Sequence, residues 1–223
     1  TKHIESNCFK ECYNLKKINI PSSVASIGEA CFMNCTSLKQ ISLSPSMTEI
    51  EENCFNSCSS LTEIVIPPSV TKIAQNAFQE CNLLTKISIP CSIAPFYNKI
   101  FKKIKIIEII GDIDHIPDKL LSESSFLHQI TIPSSVISIG DYSFRKCSSI
   151  KQFIIPSSVT VIGNYAFNEC SSLMQISIPS SVKKIKNGAF SGCSKLTNII
   201  IPCSVTSIGN YAFFECSSLT QIL

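Results

Sequence analysis

The sequence predicts a repeat solenoid with a parallel β-sheet along one side, and three observations carry that prediction. Leucine or isoleucine returns every 23 residues at Leu15, Leu38, Leu61, Leu84, Ile104, Leu127, Ile150, Leu173, Leu196 and Leu219, with one step of 20. Proline keeps the same beat at Pro21, Pro67, Pro90, Pro133, Pro156, Pro179 and Pro202, and Ser44 fills the slot missing from the series. A Phe-x-x-Cys motif recurs from Phe9 and Cys12 to Phe213 and Cys216. A period between 20 and 50 residues marks units that stack, because one unit cannot cover its own apolar face. The reading is about ten 23-residue units in a single domain over residues 1–223, with both ends cut inside a repeat.

Each unit reads in order. Three and five residues after the opening leucine come pairs such as Ile18 and Ile20, or Ile64 and Ile66, which is the alternation of a short strand. Proline ends that strand because it has no N–H for the ladder. A second apolar pair, as in Val24 and Ile27 or Val159 and Ile162, predicts a short second strand. The Phe and Cys three apart then share one face of a short helical or 3₁₀ turn. Gly28, Gly140, Gly163 and Gly209 precede that turn, but Glu51, Ala74 and Lys186 share their column, so a left-handed backbone is not obligatory there.

Hydrophobic residues make up 44% and charged residues 16%, which suits a large core and argues against disorder. The net charge of +3 is scattered, without the basic stripe that nucleic-acid binding needs. No apolar run is long enough to cross a bilayer.

Eight of the 13 cysteines occupy the Phe+3 column, and Cys8, Cys31 and Cys54 exchange with Ala77, Ala166, Ala189 and Ala212, as a small buried slot permits. They are read as buried free thiols. No C-x₂-C pair occurs, and His3, His115 and His128 fall outside the repeat columns, so neither a metal nor a cofactor is expected. The serines sit in Pro-Ser-Ser and Cys-Ser-Ser turns, where local hydrogen bonding is their expected work. With no catalytic residue identified, the chain is read as not an enzyme. Asp112, Asp114, His115 and Asp118 are the one polar cluster capable of metal or acid-base chemistry, and they are read as a charged loop.

The combination "LTQISIPSSV…IGNYAFxxCSSL", carried here by Leu173 to Val182 and Ile208 to Leu219, resembles the BspA-like leucine-rich repeat family. The resemblance implies a cell-surface or secreted protein of a host-associated bacterium or parasitic protist. It implies adhesion to a host or extracellular protein ligand. The alternative is an intracellular, cytoplasmic scaffold for protein–protein interaction, which many free thiols would suit.

Binding is expected on the exposed strand face. Its outward residues are Lys17, Asn19, Gln40, Ser42, Glu63, Val65, Lys86 and Ser88, then Gln129, Thr131, Gln152, Ile154, Gln175, Ser177, Asn198 and Ile200. No nucleic-acid or membrane partner is expected, and self-association through uncapped ends is a further option. Residues 93–132 break the pattern: Lys99, Lys102, Lys103 and Lys105 lie near Phe96, Tyr97 and Phe101, and Leu121 and Ser124 stand where Phe and Cys belong. This stretch is expected to be the least protected part of the chain.

Overall fold

The computed structural model describes residues 2–92 and 103–223. Phe96, Tyr97, Lys99, Phe101 and Lys102 lie outside the described residues. The chain divides into two compact units, Thr1–Ile110 and Gly111–Leu223, each a stack of parallel β-coils.

In the first unit the leucine-to-proline segments form β2 (Lys17–Asn19), β4 (Gln40–Ser42), β6 (Glu63–Val65), β8 (Lys86–Pro90) and β9 (Ile106–Ile110). The second apolar pairs form β1 (His3–Ile4), β3 (Ser26–Ile27), β5 (Glu49–Ile50) and β7 (Lys72–Ile73). The second unit repeats the plan. Its long face carries β11 (Gln129–Thr131), β13 (Gln152–Ile154), β15 (Gln175–Ser177), β17 (Asn198–Ile199) and β19 (Gln221–Ile222). Its short face carries β10 (His115–Ile116), β12 (Ser138–Ile139), β14 (Val161–Ile162), β16 (Lys184–Ile185) and β18 (Ser207–Ile208), which form one continuous five-stranded ladder.

Register follows the period. Ile18 lies beside Ile41 and Phe153 beside Ile176, so like residues stack on like and every inward residue meets its counterpart one coil away. The short unit is absorbed without loss of register, since Lys86 faces Ile106 and Ile89 faces Ile109 across the 20-residue step. Residues 103–132 also keep the plan. Leu121 is buried in the Phe column, and its N–H donates to Ser143 O as Phe144 N–H does to Ala166 O. The irregularity is therefore one of side-chain identity in this part.

The Phe-x-x-Cys segment closes as expected of a 3₁₀-like turn, with Cys35 N–H donating to Phe32 O at 3.1 Å, but it does not continue into a helix. Two positions in most of the described coils have left-handed dihedrals, such as Asn7 and Glu11, Tyr142 and Lys146, or Gly188 and Gly192, while the coil of Phe78 has one, Glu80. Most such N–H groups donate along the stack to a carbonyl of the next coil: Tyr142 donates to Asn164 O and Lys146 to Asn168 O, both at 2.8 Å. These bonds offset the roughly 1–2 kcal/mol that a left-handed backbone costs a residue with a Cβ. The Gly28 column has ordinary dihedrals and is tight for another reason, since a Cβ on Gly140 would lie 2.4 Å from Ile116 O.

The interior is a set of columns. Phe9, Phe32, Phe55 and Phe78 stack at 5.2–5.6 Å in the first unit. Phe144, Phe167, Phe190 and Phe213 stack at 5.3–5.5 Å in the second. Val, Ile and Leu columns fill the rest.

Candidate partner-binding face

The polar residues of the repeat are first of all stacking devices. All 13 cysteines are free. In the Phe+3 column each buried thiol donates to the carbonyl of the Phe-column residue 26 positions back, Cys58 to Phe32 O at 3.2 Å and Cys170 to Phe144 O at 3.1 Å. Burial pushes the thiols up, to about 11 at Cys35 and about 12 at Cys81 and Cys147, so they remain protonated donors and poor nucleophiles. The second serine of Pro-Ser-Ser likewise reaches one coil back, as Ser181 Oγ does to Val159 O at 2.6 Å. The serine bonds are thus local in space but not in sequence, which corrects the expectation of bonding within the turn.

The histidines need the same correction. His3 and His115 occupy the column of Ser26 and Ser138 and bond those hydroxyls through Nδ1 at 2.5 and 2.8 Å. Asp118 Oδ1 accepts the Asp141 N–H at 2.7 Å, and the pattern continues through Asn164, Asn187 and Asn210 as a ladder of side-chain oxygens on backbone N–H groups. Two members of the polar cluster are therefore spent on holding coils together. Among the described residues no three His, Cys, Asp or Glu side chains group as metal ligands.

What remains free is the outer surface of the long strands. Fifteen of the sixteen expected outward residues are exposed, in two files that run up each unit. Ser88 is the exception: it is 5% exposed and donates to Glu108 Oε2 at 2.9 Å. The longer β8–β9 pairing brings the Glu108 carboxylate over it. Gln221 continues the amide column as its spacing predicts, and positions two and four beyond the opening residue also place Ile106, Glu108 and Leu223 in these files; counting from Ile104 and Leu219 would have found those three.

The long-strand faces of the two units differ in charge. In the first unit Glu63 Oε2 accepts from Lys86 Nζ at 2.9 Å, and that hydrogen bond holds the ammonium above its usual value. On the long strands of the second unit no outward residue is charged, and Gln152 Nε2 donates to Gln175 Oε1 at 3.2 Å as an amide ladder requires. A groove of about 690 Å³ opens there, lined by Ile130, Thr131, Ile132, Gln152, Ile154 and Pro156 and also by His128 and Lys151.

A family model described as a BspA type leucine rich repeat region, with 6 copies, matches residues 2–126 and 114–223. Among solved structures the chain is similar to a leucine-rich repeat protein from Bacteroides ovatus. The identity is 28% over 97% of this chain and 69% of that one, with a TM-score of 0.51. It also matches a leucine rich cell surface protein from Faecalibacterium prausnitzii at 27% identity over 100% of this chain and 64% of that one, with a TM-score of 0.43. A leucine-rich repeat protein from Eubacterium ventriosum matches at 24% identity over 99% and 69%, with a TM-score of 0.50. No curated protein matches. Leucine-rich repeats of this kind serve in general as protein-binding scaffolds without catalysis. With the two matches together spanning residues 2–223, the chain belongs to the BspA-type leucine-rich repeat family.

Proposed function

We propose that this chain is a non-enzymatic binding module that holds a protein ligand on its long-strand face, as part of a surface protein engaging host or extracellular proteins. One observation carries the reading: the repeated serine hydroxyls, the buried thiols of the Phe+3 column and the Asp118-to-Asn210 file are committed to the neighbouring coil, while the two outward files on the long strands are, but for Ser88, left to solvent. Binding spread over many such contacts draws its strength from a few central anchors and makes no single residue indispensable. The surface location rests on the family resemblance.

The test is direct. The biotinylated chain is applied to an array of purified extracellular-matrix and host-membrane proteins, beside a variant whose exposed outward residues are all alanine. Binding that the variant loses by more than about tenfold, roughly 1.4 kcal/mol, supports the reading. Equal binding by both proteins places the contact elsewhere and rejects it. Labelling of intact cells with an antibody to the chain tests the location, and exclusively internal staining favours an intracellular scaffold.

A further inference from the structure

Resting on that reading, we propose that the first unit's long-strand face takes a short acidic segment of a partner protein, whose carboxylates lie on the ammonium groups of Lys16, Lys17 and Lys39.

Two other lysines of this unit have a glutamate in their own column one coil back: Lys72 Nζ lies 3.2 Å from Glu49 Oε2, and Lys86 Nζ lies 2.9 Å from Glu63 Oε2. Lys39 has Lys16 in that place, and its N–H donates to Lys16 O at 2.9 Å. Lys17 is next in the chain and opens β2. All three side chains are exposed, and none of the ion pairs among the described residues reaches them. Like charges on adjoining strands repel, so the fold gains nothing from this grouping.

The carboxylates of these coils lie on other sides. β2 and β4 present Lys17, Asn19, Gln40 and Ser42, with no acid among them, while Glu5, Glu29, Glu51 and Glu52 follow the short strands β1, β3 and β5 into the Phe turn. Glu11, the nearest acid before Lys16 in the chain, accepts from the Tyr13 hydroxyl, and that bond holds the phenol above its usual value. Charge that reads as scattered along the sequence is thus sorted by side in this unit. The field over β2 and β4 is positive, and it draws an anionic partner and repels a cationic one.

The same face limits the length of the occupant. Glu63 on β6 and Glu108 on β9 return negative charge to it, so a long polyanion laid along the strands, a nucleic acid or a sulfated glycan, would meet those carboxylates beyond β4. A peptide with a few Asp or Glu fits the span of two coils. Asn19, Gln40 and Ser42, beside the lysines, supply hydrogen bonds to its backbone.

Random linear peptides displayed on phage and selected on the immobilised chain test the proposal. The enriched peptides are expected to share a run of Asp or Glu. They should bind at least about tenfold more weakly in roughly 1 M NaCl than in ~0.1 M, because the screening length falls from ~10 Å to ~3 Å. Lys16→Glu with Lys17→Glu is expected to weaken them about tenfold or more. Lys183→Glu with Lys184→Glu, an equal change of net charge at exposed lysines of the second unit, should leave them unchanged. Lys39→Ala, a milder change, should weaken them less and in the same sense. The first double variant should keep the parent's circular dichroism and melt no lower, since it puts a carboxylate beside Lys39 as Glu49 stands beside Lys72. Enrichment of peptides without acidic residues, indifference to salt, equal weakening by the two double variants, or no enrichment would each overturn the inference. So would heparin or a DNA duplex binding through these lysines while no acidic peptide does. If peptides resist Lys16→Glu with Lys17→Glu but are lost with Gln152→Ala and Gln175→Ala, this inference falls and the binding-face reading stands. If no substitution on the long-strand face weakens any binder, both fall.

Discussion

Replacing Phe167 by alanine probes the stacking directly. Its ring is 1% exposed, lies 5.3 Å from Phe144 and 5.4 Å from Phe190, and meets Phe153 edge-on at 4.6 Å. Truncating a buried phenylalanine costs about 3–5 kcal/mol, as transfer free energy and residual cavity together. With three aromatic neighbours lost, the expected cost lies at the upper end of that range, about 5 kcal/mol. Phe213 has one stacking neighbour, Phe190 at 5.5 Å, and is only partly buried, so Phe213→Ala should cost roughly half as much. Gln175→Ala, on the exposed face, should cost under about 1 kcal/mol. Urea titration followed by circular dichroism ranks the three. Hydrogen exchange checks that the Phe167 variant loosens the coils of Phe144 and Phe190 as well as its own, since coils in an array stabilise their neighbours. Equal losses at Phe167 and Gln175 would mean that the inward and outward files are exchanged, and the whole assignment of the binding face would go with them.

Alkylation of the native protein should reach Cys8 and Cys203, which are exposed, well before the buried column, with all 13 thiols labelled only on unfolding; rapid labelling of Cys170 in the folded chain would contradict its placement. The raised thiols also set an alkaline limit. The folded state holds its protons longer than the unfolded one, whose thiols titrate near ~8.5. Stability is therefore full below that pH and falls as pH rises towards about 12 at Cys81 and Cys147, which melting between neutral and alkaline pH reads directly. Asp141 works in the other direction. Partial burial opposes its ionisation, but hydrogen bonds from Asn164 and the nearby Lys186 outweigh that and hold the carboxyl below its ordinary value. Its contribution is present above the ordinary carboxylate range and lost on acidification, so Asp141→Asn, which keeps the Oδ1 acceptor but loses the charge, should lower the melting temperature at neutral pH modestly and flatten the acid limb of the melting profile. Gly140→Ala should destabilise by about 1–3 kcal/mol, because the new Cβ would press on the backbone of the previous coil at Ile116; an unchanged melting temperature would show that the coils can part there without cost.

How much of this could be read from the residues alone depended on what each residue type says by itself. Leu173, Ile176 and Ile178 announce an inward strand face by their own apolarity and spacing, and the structure buries all three. The Phe column, the small slot shared by Cys31 and Ala77, and the exposed files through Gln152 and Ile154 were legible for the same reason. The Cys-to-Phe bonds were not, because the acceptor carbonyl belongs to no particular side chain and becomes a partner only when two coils are laid one on the other. Tyr142 and Lys146 gave no sign of left-handed dihedrals, since glycine is the usual marker and their backbone is held instead by Asn164 and Asn168 one coil on. Periodicity by itself determined which side chains point in and which point out, because burial follows from residue type and alternation. The axial hydrogen bonds and the burial of Ser88 under Glu108 were decided only by the tertiary structure. Each depends on what lies a few ångströms away in the next coil, a distance that sequence separation does not measure.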